Sequence, residues 1–136
     1  MPIRTTWYDP EETIRYWKFD DDWDWGQFFL TLEESSQAVE SRPGRVDTIL
    51  DLRDTHLKVG GLVDNFRKSL RIHARNVQLA VVVGGPFIRA VWAVLSPFWD
   101  GANERYIYAP SLDAALTIIR HSRQAAATQP SEEAGR

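Results

Sequence analysis

The sequence contains no cysteine, and this absence excludes disulfide bonds, zinc–thiolate centres and thiol catalysis. Small secreted proteins are usually rich in disulfides, so the composition favours a reducing, cytoplasmic location. The chain also lacks an apolar run of the roughly 20 residues that a membrane span requires. Residues 1–7 have no apolar core of the kind found in a signal peptide. We therefore expect a cytoplasmic protein with no membrane span.

Basic residues are not in excess either. The chain has 16 Lys and Arg residues and 19 Asp and Glu residues, so its formal charge is −3. This balance argues against general nucleic-acid binding. Aromatic residues, in contrast, are abundant, with six Trp, six Phe and four Tyr. Large aromatic side chains supply much of the buried area in a small core. The length of 136 residues fits one domain that needs no covalent staples.

The chain begins with two predicted strands joined by a turn. Residues 3–8 and 13–19 are rich in β-branched and aromatic residues, and the second run alternates with basic ones, as in half-buried strands. Between them, Asp9 and Pro10 favour the first and second positions of a turn. The two strands should form an antiparallel hairpin.

Four helices are predicted from capping signals and apolar periodicity. The first starts after Asp24, which pairs with Gln27 as a capping box. The second covers residues 62–75. The third covers residues 87–95, with Pro86 at its first position. The fourth follows Ser111 as N-cap.

Three further strands, at residues 46–52, 78–83 and 105–109, alternate with these helices. The order β-β-α-β-α-β-α-β-α predicts a single α/β domain with a five-stranded mixed sheet that is parallel in its later strands. We assign this domain to residues 1–123. Ala, Ser, Glu, Gln and Gly dominate residues 124–136, which predicts a disordered tail.

Several short segments, taken in order, resemble the STAS or SpoIIAA-like domains of bacteria over about residues 3–122. They are Trp7 and Asp9, RYWKF at 15–19, WDW at 23–25, VDTILDLR at 46–53, VVG at 82–84 and SLDAAL at 111–116. The resemblance implies a mixed sheet with helices packed mainly on one face. It also implies a regulatory role through partner proteins, and some distant relatives hold lipids or nucleotides.

The sequence departs from this family at the position of its phosphorylation switch. The anti-sigma-factor antagonists of the family carry a phosphorylatable Ser just after the central strand. Here the corresponding stretch, residues 51–56, contains no Ser, and Thr55 is the nearest hydroxyl.

The predicted helix at 87–95 is apolar on nearly every side, whereas a helix on one face of a sheet needs one apolar stripe. A second stripe is formed by Ile88, Trp92, Leu95 and Trp99. This stripe predicts a contact with a protein partner or with a second copy in a homodimer. Deep burial under neighbouring helices and a pocket for an apolar ligand are the alternatives.

The loop after the third strand offers a second, polar recognition surface. It contains Arg53, Asp54, Thr55, His56 and Lys58, at the edge of the sheet where ligands of α/β proteins collect. A solvated loop is the alternative interpretation.

Two other features are weaker indications of a site. Gly84 and Gly85 join a strand to a helix start, with Arg89 one turn later, so their amides could hold an anion. No nucleotide-binding signature accompanies them. Four acidic residues between positions 20 and 24 lack the spacing of a calcium loop, and a turn with an N-cap explains them. We expect no metal, no cofactor and no catalytic residues.

The sequence therefore predicts a non-enzymatic, STAS-like regulatory or interaction module. The first alternative is a carrier of a small apolar ligand or lipid, which predicts a cavity near Trp92. The second is a small enzyme, which predicts that His56, Asp54 and Arg53 converge in a cleft.

Overall fold

Five strands form one sheet in which spatial order follows chain order. The computed structural model describes residues 2–56, 60–72, 74–98 and 105–128. The first two strands are antiparallel and the later pairs are parallel, which confirms the predicted hairpin and mixed sheet. The strands are β1 (Ile3–Trp7), β2 (Ile14–Phe19), β3 (Val46–Asp51), β4 (Val77–Val83) and β5 (Tyr106–Ala109).

The hairpin turn is closed by the side chain of Asp9. Its carboxylate accepts hydrogen bonds from the backbone N–H groups of Thr13 and Ile14, both at 2.9 Å, and from the Thr13 hydroxyl. Burial opposes ionisation of this carboxyl group, but the bond from the Thr13 side chain and the backbone bonds lower the pKa of Asp9. The turn is therefore fixed by a local motif that the sequence prediction identified only as Asp-Pro.

Four helices connect or follow the strands, as predicted: α1 (Trp25–Glu40), α2 (Leu62–Leu70), α3 (Pro86–Leu95) and α4 (Leu112–Ala127). The capping box of Asp24 and Gln27 is present in full. The Ser111 side chain accepts a hydrogen bond from the Ala114 N–H group at the start of α4. The capping residues were predicted correctly because the signals that create them are local.

Two helix ends differ from the prediction. The second helix ends at Leu70, not at residue 75, because the chain must turn before entering β4. The Asn76 side chain fixes this turn by donating to the carbonyls of Val39 and Gly44. The last helix continues to Ala127, so residues 124–127 are helical and not part of a tail. Ala and Gln are good helix formers, which explains the extension; residues 129–136 lie outside the described part of the chain.

Three helices cover one face of the sheet and α4 covers the other. Trp17, Phe19 and Leu50 pack with α1, whereas Ile49 and Val81, which point to the opposite face, pack with α4. Strand order explains this arrangement, because successive right-handed crossovers that move in one direction place their helices on the same side. The prediction of helices mainly on one face is confirmed. Among the helices that the structure describes, none combines the length and apolarity needed to cross a membrane.

Strand β3 carries two buried acidic residues on its α4 face, and the first of them ties α4 to the sheet. The carboxylate of Asp47 accepts hydrogen bonds from Arg45, from Arg123 of α4 at 2.8 Å and from the Leu79 N–H group at 3.0 Å. These donors come from the segment before β3, from α4 and from β4. The ion cluster therefore ties α4 to the end of the sheet at which β3 begins. The second acidic residue, Asp51, lies at the other end of β3.

Candidate functional site

A cavity of about 80 Å³ lies between the sheet and helices α1, α2 and α3. Every side chain that lines it is apolar, being Phe, Trp, Leu, Val or Ile. Half of the wall is aromatic, and the rings come from β2, the β2–α1 connection, α1, α2 and α3. These aromatic residues are Phe19, Trp23, Trp25, Phe28, Phe66 and Trp92. We call this space the aromatic cavity.

The rings of the aromatic cavity hold one another in place. Trp23 lies edge-on to Trp25 with ring centroids 5.0 Å apart, and edge-on to Phe19 at 5.3 Å. Phe28 lies edge-on to Trp25 at 5.4 Å. Such edge-to-face pairs are favourable beyond their buried area. The wall is therefore ordered by ring–ring contacts that do not depend on an occupant.

The polar edges of Trp23 and Trp25, two of the three indoles on this wall, are satisfied outside the cavity. The Trp23 Nε1–H group donates to the Thr55 hydroxyl at 3.0 Å, and the Trp25 Nε1–H group donates to the Gly60 carbonyl at 2.9 Å. Both acceptors belong to the connection between β3 and α2. The indoles thus present apolar surface to the cavity, and the same bonds hold that connection against α1.

A surface groove between α2 and α3 leads toward the aromatic cavity. It has a volume of about 380 Å³ and is lined by Leu62, Val63, Ala90, Val91, Val94 and Leu95. Three of these residues, Leu62, Val91 and Leu95, also line the aromatic cavity. They form the boundary between the cavity and the protein surface. We call this feature the α2–α3 groove.

A second cavity of about 60 Å³ lies beside the first on the same face of the sheet. Phe28, Leu50 and Phe66 line both cavities. The rest of the second wall differs in chemistry, because it includes the hydroxyl-bearing residues Ser35, Ser36, Thr48, Ser69 and Tyr106. We call it the hydroxyl cavity.

Helix α3 turns most of its predicted contact stripe toward the sheet. Ile88 is 6% exposed and lies in the core, so it offers no surface to a partner. Trp92 and Leu95 are half-buried and line the aromatic cavity. Trp99 lies outside the described residues. The exposed large apolar side chains of α3 are Phe87 and Val94, at 60% and 66% exposure.

The polar loop after β3 has side chains that bind three separate partners. Arg53 donates two hydrogen bonds to Asp51, at 2.9 and 2.7 Å. Asp54 pairs with Lys18, and the exposed His56 ring contacts Asp21 at 3.0 Å. Each of these three side chains thus contacts a different residue, and Lys18 also lies 3.8 Å from Asp51. Thr55 bridges Trp23 and the Asp20 carbonyl, and Lys58 lies outside the described residues.

Asp51 is the most strongly held carboxylate at this edge of the sheet. Its side chain is fully buried and also accepts a hydrogen bond from the Tyr16 hydroxyl. Burial opposes its ionisation, but the bonds from Arg53 and Tyr16 lower the pKa of Asp51 to about 2. Burial and the bond to Asp51 raise the pKa of Tyr16 to about 12. The bonds from Arg53 and Tyr16 therefore hold the start of the loop against β2 and β3.

The predicted anion site is assembled only in part. Gly84, Gly85 and Arg89 border one surface depression together with Tyr108. The Gly84 N–H group donates to the Ala109 carbonyl at 3.3 Å, so it is not free to bind an anion. The Tyr108 hydroxyl donates to the Gly84 carbonyl at 2.6 Å. In the part of the chain that the structure describes, no group of three or more acidic or histidine side chains is placed to hold a metal ion.

The sequence predicted a cavity near Trp92 as one alternative, but it did not indicate that Trp23, Phe28 and Phe66 would share its wall. Aromatic abundance is visible in the sequence, but composition does not show which rings meet in space. In a comparison with known proteins, no family model, curated protein or solved structure matches the chain significantly. The resemblance to STAS domains therefore stays a prediction.

Proposed function

We propose that this protein is a non-enzymatic binding module that holds a small apolar molecule between its sheet and helices α1–α3. The observation that carries the proposal is the aromatic cavity, whose lining side chains are all apolar. A carrier of an apolar ligand is expected from the sequence to have a cavity near Trp92, and Trp92 is part of the wall of the aromatic cavity. Small-molecule sites in proteins are typically concave and mostly apolar.

An unfilled cavity in a protein core lowers stability, since interiors are otherwise packed like crystals. At roughly 24 cal/mol per Å³, a space of about 80 Å³ costs on the order of 2 kcal/mol. An apolar occupant restores the missing dispersion contacts. The ring–ring contacts of the wall keep the space ordered before an occupant arrives, which reduces the entropy that binding must overcome.

The size of the cavity limits what it can hold. An apolar cavity of about 150 Å³ accommodates benzene, so one of about 80 Å³ is too small for a whole ring without adjustment. An occupant must therefore extend into the α2–α3 groove or into the neighbouring hydroxyl cavity. A single ring or a short chain fits this description.

Toluene is a suitable probe of the aromatic cavity. Its binding is compared between the wild type and two Val→Phe variants on the same helix, one inside the cavity and one outside it. Val91 lines the aromatic cavity, whereas Val94 is exposed on the α2–α3 groove and does not line the cavity. We expect toluene to raise the melting temperature of the wild type and of Val94→Phe. Val91→Phe fills the cavity and should bind toluene at least tenfold more weakly, by ligand-observed NMR.

Native mass spectrometry of the freshly purified protein is the second measurement. A co-purifying small molecule that Val91→Phe lacks and Val94→Phe keeps would support the proposal directly. The proposal fails if toluene does not bind the folded wild type, or if it binds Val91→Phe equally well.

A protein-interaction module of the STAS-like regulatory kind is the second candidate. The observation that favours it is the exposed apolar surface of α3, where Phe87 and Val94 stand largely in solvent. Exposed apolar patches on small domains often mark contact surfaces. In this candidate the α2–α3 groove receives a side chain of a partner or of a second copy, and a small ligand is absent.

A further inference from the structure

The hydroxyl cavity contains polar side chains that the protein itself does not fully satisfy. Of its hydroxyl-bearing residues, Ser69 donates to the Phe66 carbonyl at 2.6 Å and Ser36 donates to the Ile72 carbonyl at 3.3 Å. Among the described residues, the side chains of Ser35 and Thr48 make no hydrogen bond, yet their oxygen atoms are not among the fully buried side-chain atoms without a partner, so these oxygens retain access to the cavity. Both residues are nonetheless buried, with 4% and 9% of their surface exposed.

These two residues lie on opposite walls of the same space. Thr48 is in β3, and Ser35 is in α1, which covers that face of the sheet. Two hydroxyls that face one cavity from opposite walls and have no partner in the protein, with Tyr106 of β5 as a further hydroxyl-bearing residue of the lining, indicate a position for a hydrogen-bonding group from outside the chain.

The hydroxyl cavity and the aromatic cavity are close enough to share one occupant. Phe28, Leu50 and Phe66 line both, so a molecule whose apolar part contacts these side chains can place a polar end beside Ser35 and Thr48. No charged residue lines either cavity. A carboxylate or phosphate would be buried there without a counter-charge, which is strongly unfavourable.

We infer that the ligand is a neutral amphipathic molecule, with an apolar ring or short chain and one uncharged oxygen function such as a hydroxyl or carbonyl group. The oxygen function binds Ser35 and Thr48, and the apolar part occupies the aromatic cavity. This inference rests on the proposed function, because it assigns the class of ligand that the same face of the sheet would hold.

The test compares toluene with phenol, which have the same number of heavy atoms and differ in one hydroxyl. The variants are Ser35→Ala, Thr48→Val and their combination. Alanine suits the helix and valine the strand, and Thr→Val keeps the side-chain shape, so both variants should fold. Thr48→Ser keeps the hydroxyl group and serves as the conservative control.

Binding of each probe is measured by calorimetry or ligand-observed NMR on the folded proteins. We expect phenol to bind the double variant about tenfold more weakly than the wild type, the loss that one or two net hydrogen bonds represent. Toluene should bind the double variant as well as the wild type or better. Thr48→Ser should retain most of the phenol affinity that Thr48→Val loses.

Two other results would overturn the inference, and only the second of them would also overturn the proposed function. If toluene binds but phenol affinity is the same in wild type and double variant, the two hydroxyls are satisfied by water alone; the apolar site then stands and the ligand class is wrong. If neither probe binds the folded wild type, the proposed function fails together with the inference.

Discussion

Gly84 is the residue whose missing side chain allows α3 to approach the sheet. A Cβ atom at this position would lie 2.5 Å from Ile88 Cγ1 and 2.6 Å from Ile88 Cβ. Ile88 is held in the core, so it cannot move aside easily. At the adjacent Gly85, an added Cβ would meet no atom within 4 Å. The two neighbouring glycines therefore differ sharply in the space available to a side chain.

We predict that Gly84→Ala lowers the free energy of unfolding by about 1–3 kcal/mol, the usual cost of overpacking a core. Gly85→Ala should lower it less, because no atom is in the way and the cost is the loss of a favourable N-cap residue of α3. Urea unfolding followed by tryptophan fluorescence measures both. Equal effects of the two substitutions would contradict the assigned role of Gly84.

Asp51 links the pH dependence of stability to the loop after β3. Its folded-state pKa of about 2 is below the ordinary value of 3.8. The unfolded chain therefore takes up a proton at higher pH than the folded protein. The stabilisation is complete above pH 4 and is lost as the pH falls from about 4 through about 2.

We predict that Asp51→Asn destabilises the protein by about 2 kcal/mol at pH 7, the linkage energy that this depressed pKa represents. The variant leaves Arg53 without its bidentate partner. The difference between wild type and variant should narrow as the pH falls below 4, because the wild type then loses the same interaction. Urea unfolding at a series of pH values from 7 to 2.5 measures this, and a constant difference would refute it.

The polar loop shows what sequence reasoning misses at the scale of single residues. The pattern correctly placed Arg53, Asp54 and His56 at the carboxyl end of β3. It could not tell that their partners are Asp51, Lys18 and Asp21. Lys18 and Asp21 lie more than thirty positions away in the chain, so the direction of each side chain depends on tertiary contacts. Residue types that could support chemistry were thus predicted, but their geometry was not.

At the scale of elements, the order and type of every strand and helix were predictable, because each is signalled locally. The capping box at Asp24, the proline at the start of α3 and the N-cap Ser111 all act within one helical turn. The end of α2 was not predictable in the same way. The chain after α2 is held by Asn76, whose side chain binds the carbonyls of Val39 in α1 and of Gly44 in the α1–β3 connection, and no local signal records these contacts.

The aromatic cavity is a consequence of how α2 covers the sheet. At nine residues, α2 is far shorter than the 16-residue α1. Its main contribution to the core is Phe66, whose ring lies edge-on to Tyr106 at 5.2 Å and to Trp92 at 6.3 Å. Phe66 lines both cavities, so its ring lies at the boundary between them. The periodicity of apolar residues predicts which side chains lie on one face of a helix, but it does not predict the spaces that remain between helices.

In the whole molecule, α4 covers one face of the sheet, and the helices on the other face carry the α2–α3 groove. The groove can serve as the entrance for a small molecule or as the binding surface for a partner. A bound partner would block the entrance, so the groove cannot serve both purposes at once. Val94 lies on the groove, whereas Ala93, the preceding residue of α3, is exposed beside Gly84 and Gly85 instead. These neighbours allow the two uses to be separated by substitutions of equal size and charge.

If a second copy binds through the groove, Val94→Lys should shift the protein from dimer to monomer, because lysine would bury a charge in an apolar contact. Ala93→Lys should leave the dimer intact. Sedimentation velocity from 5 to 200 µM, with and without saturating toluene, measures this. Toluene should then favour the monomer, since by linkage a ligand that needs the open groove opposes its closure. A wild type that remains monomeric throughout would refute self-association.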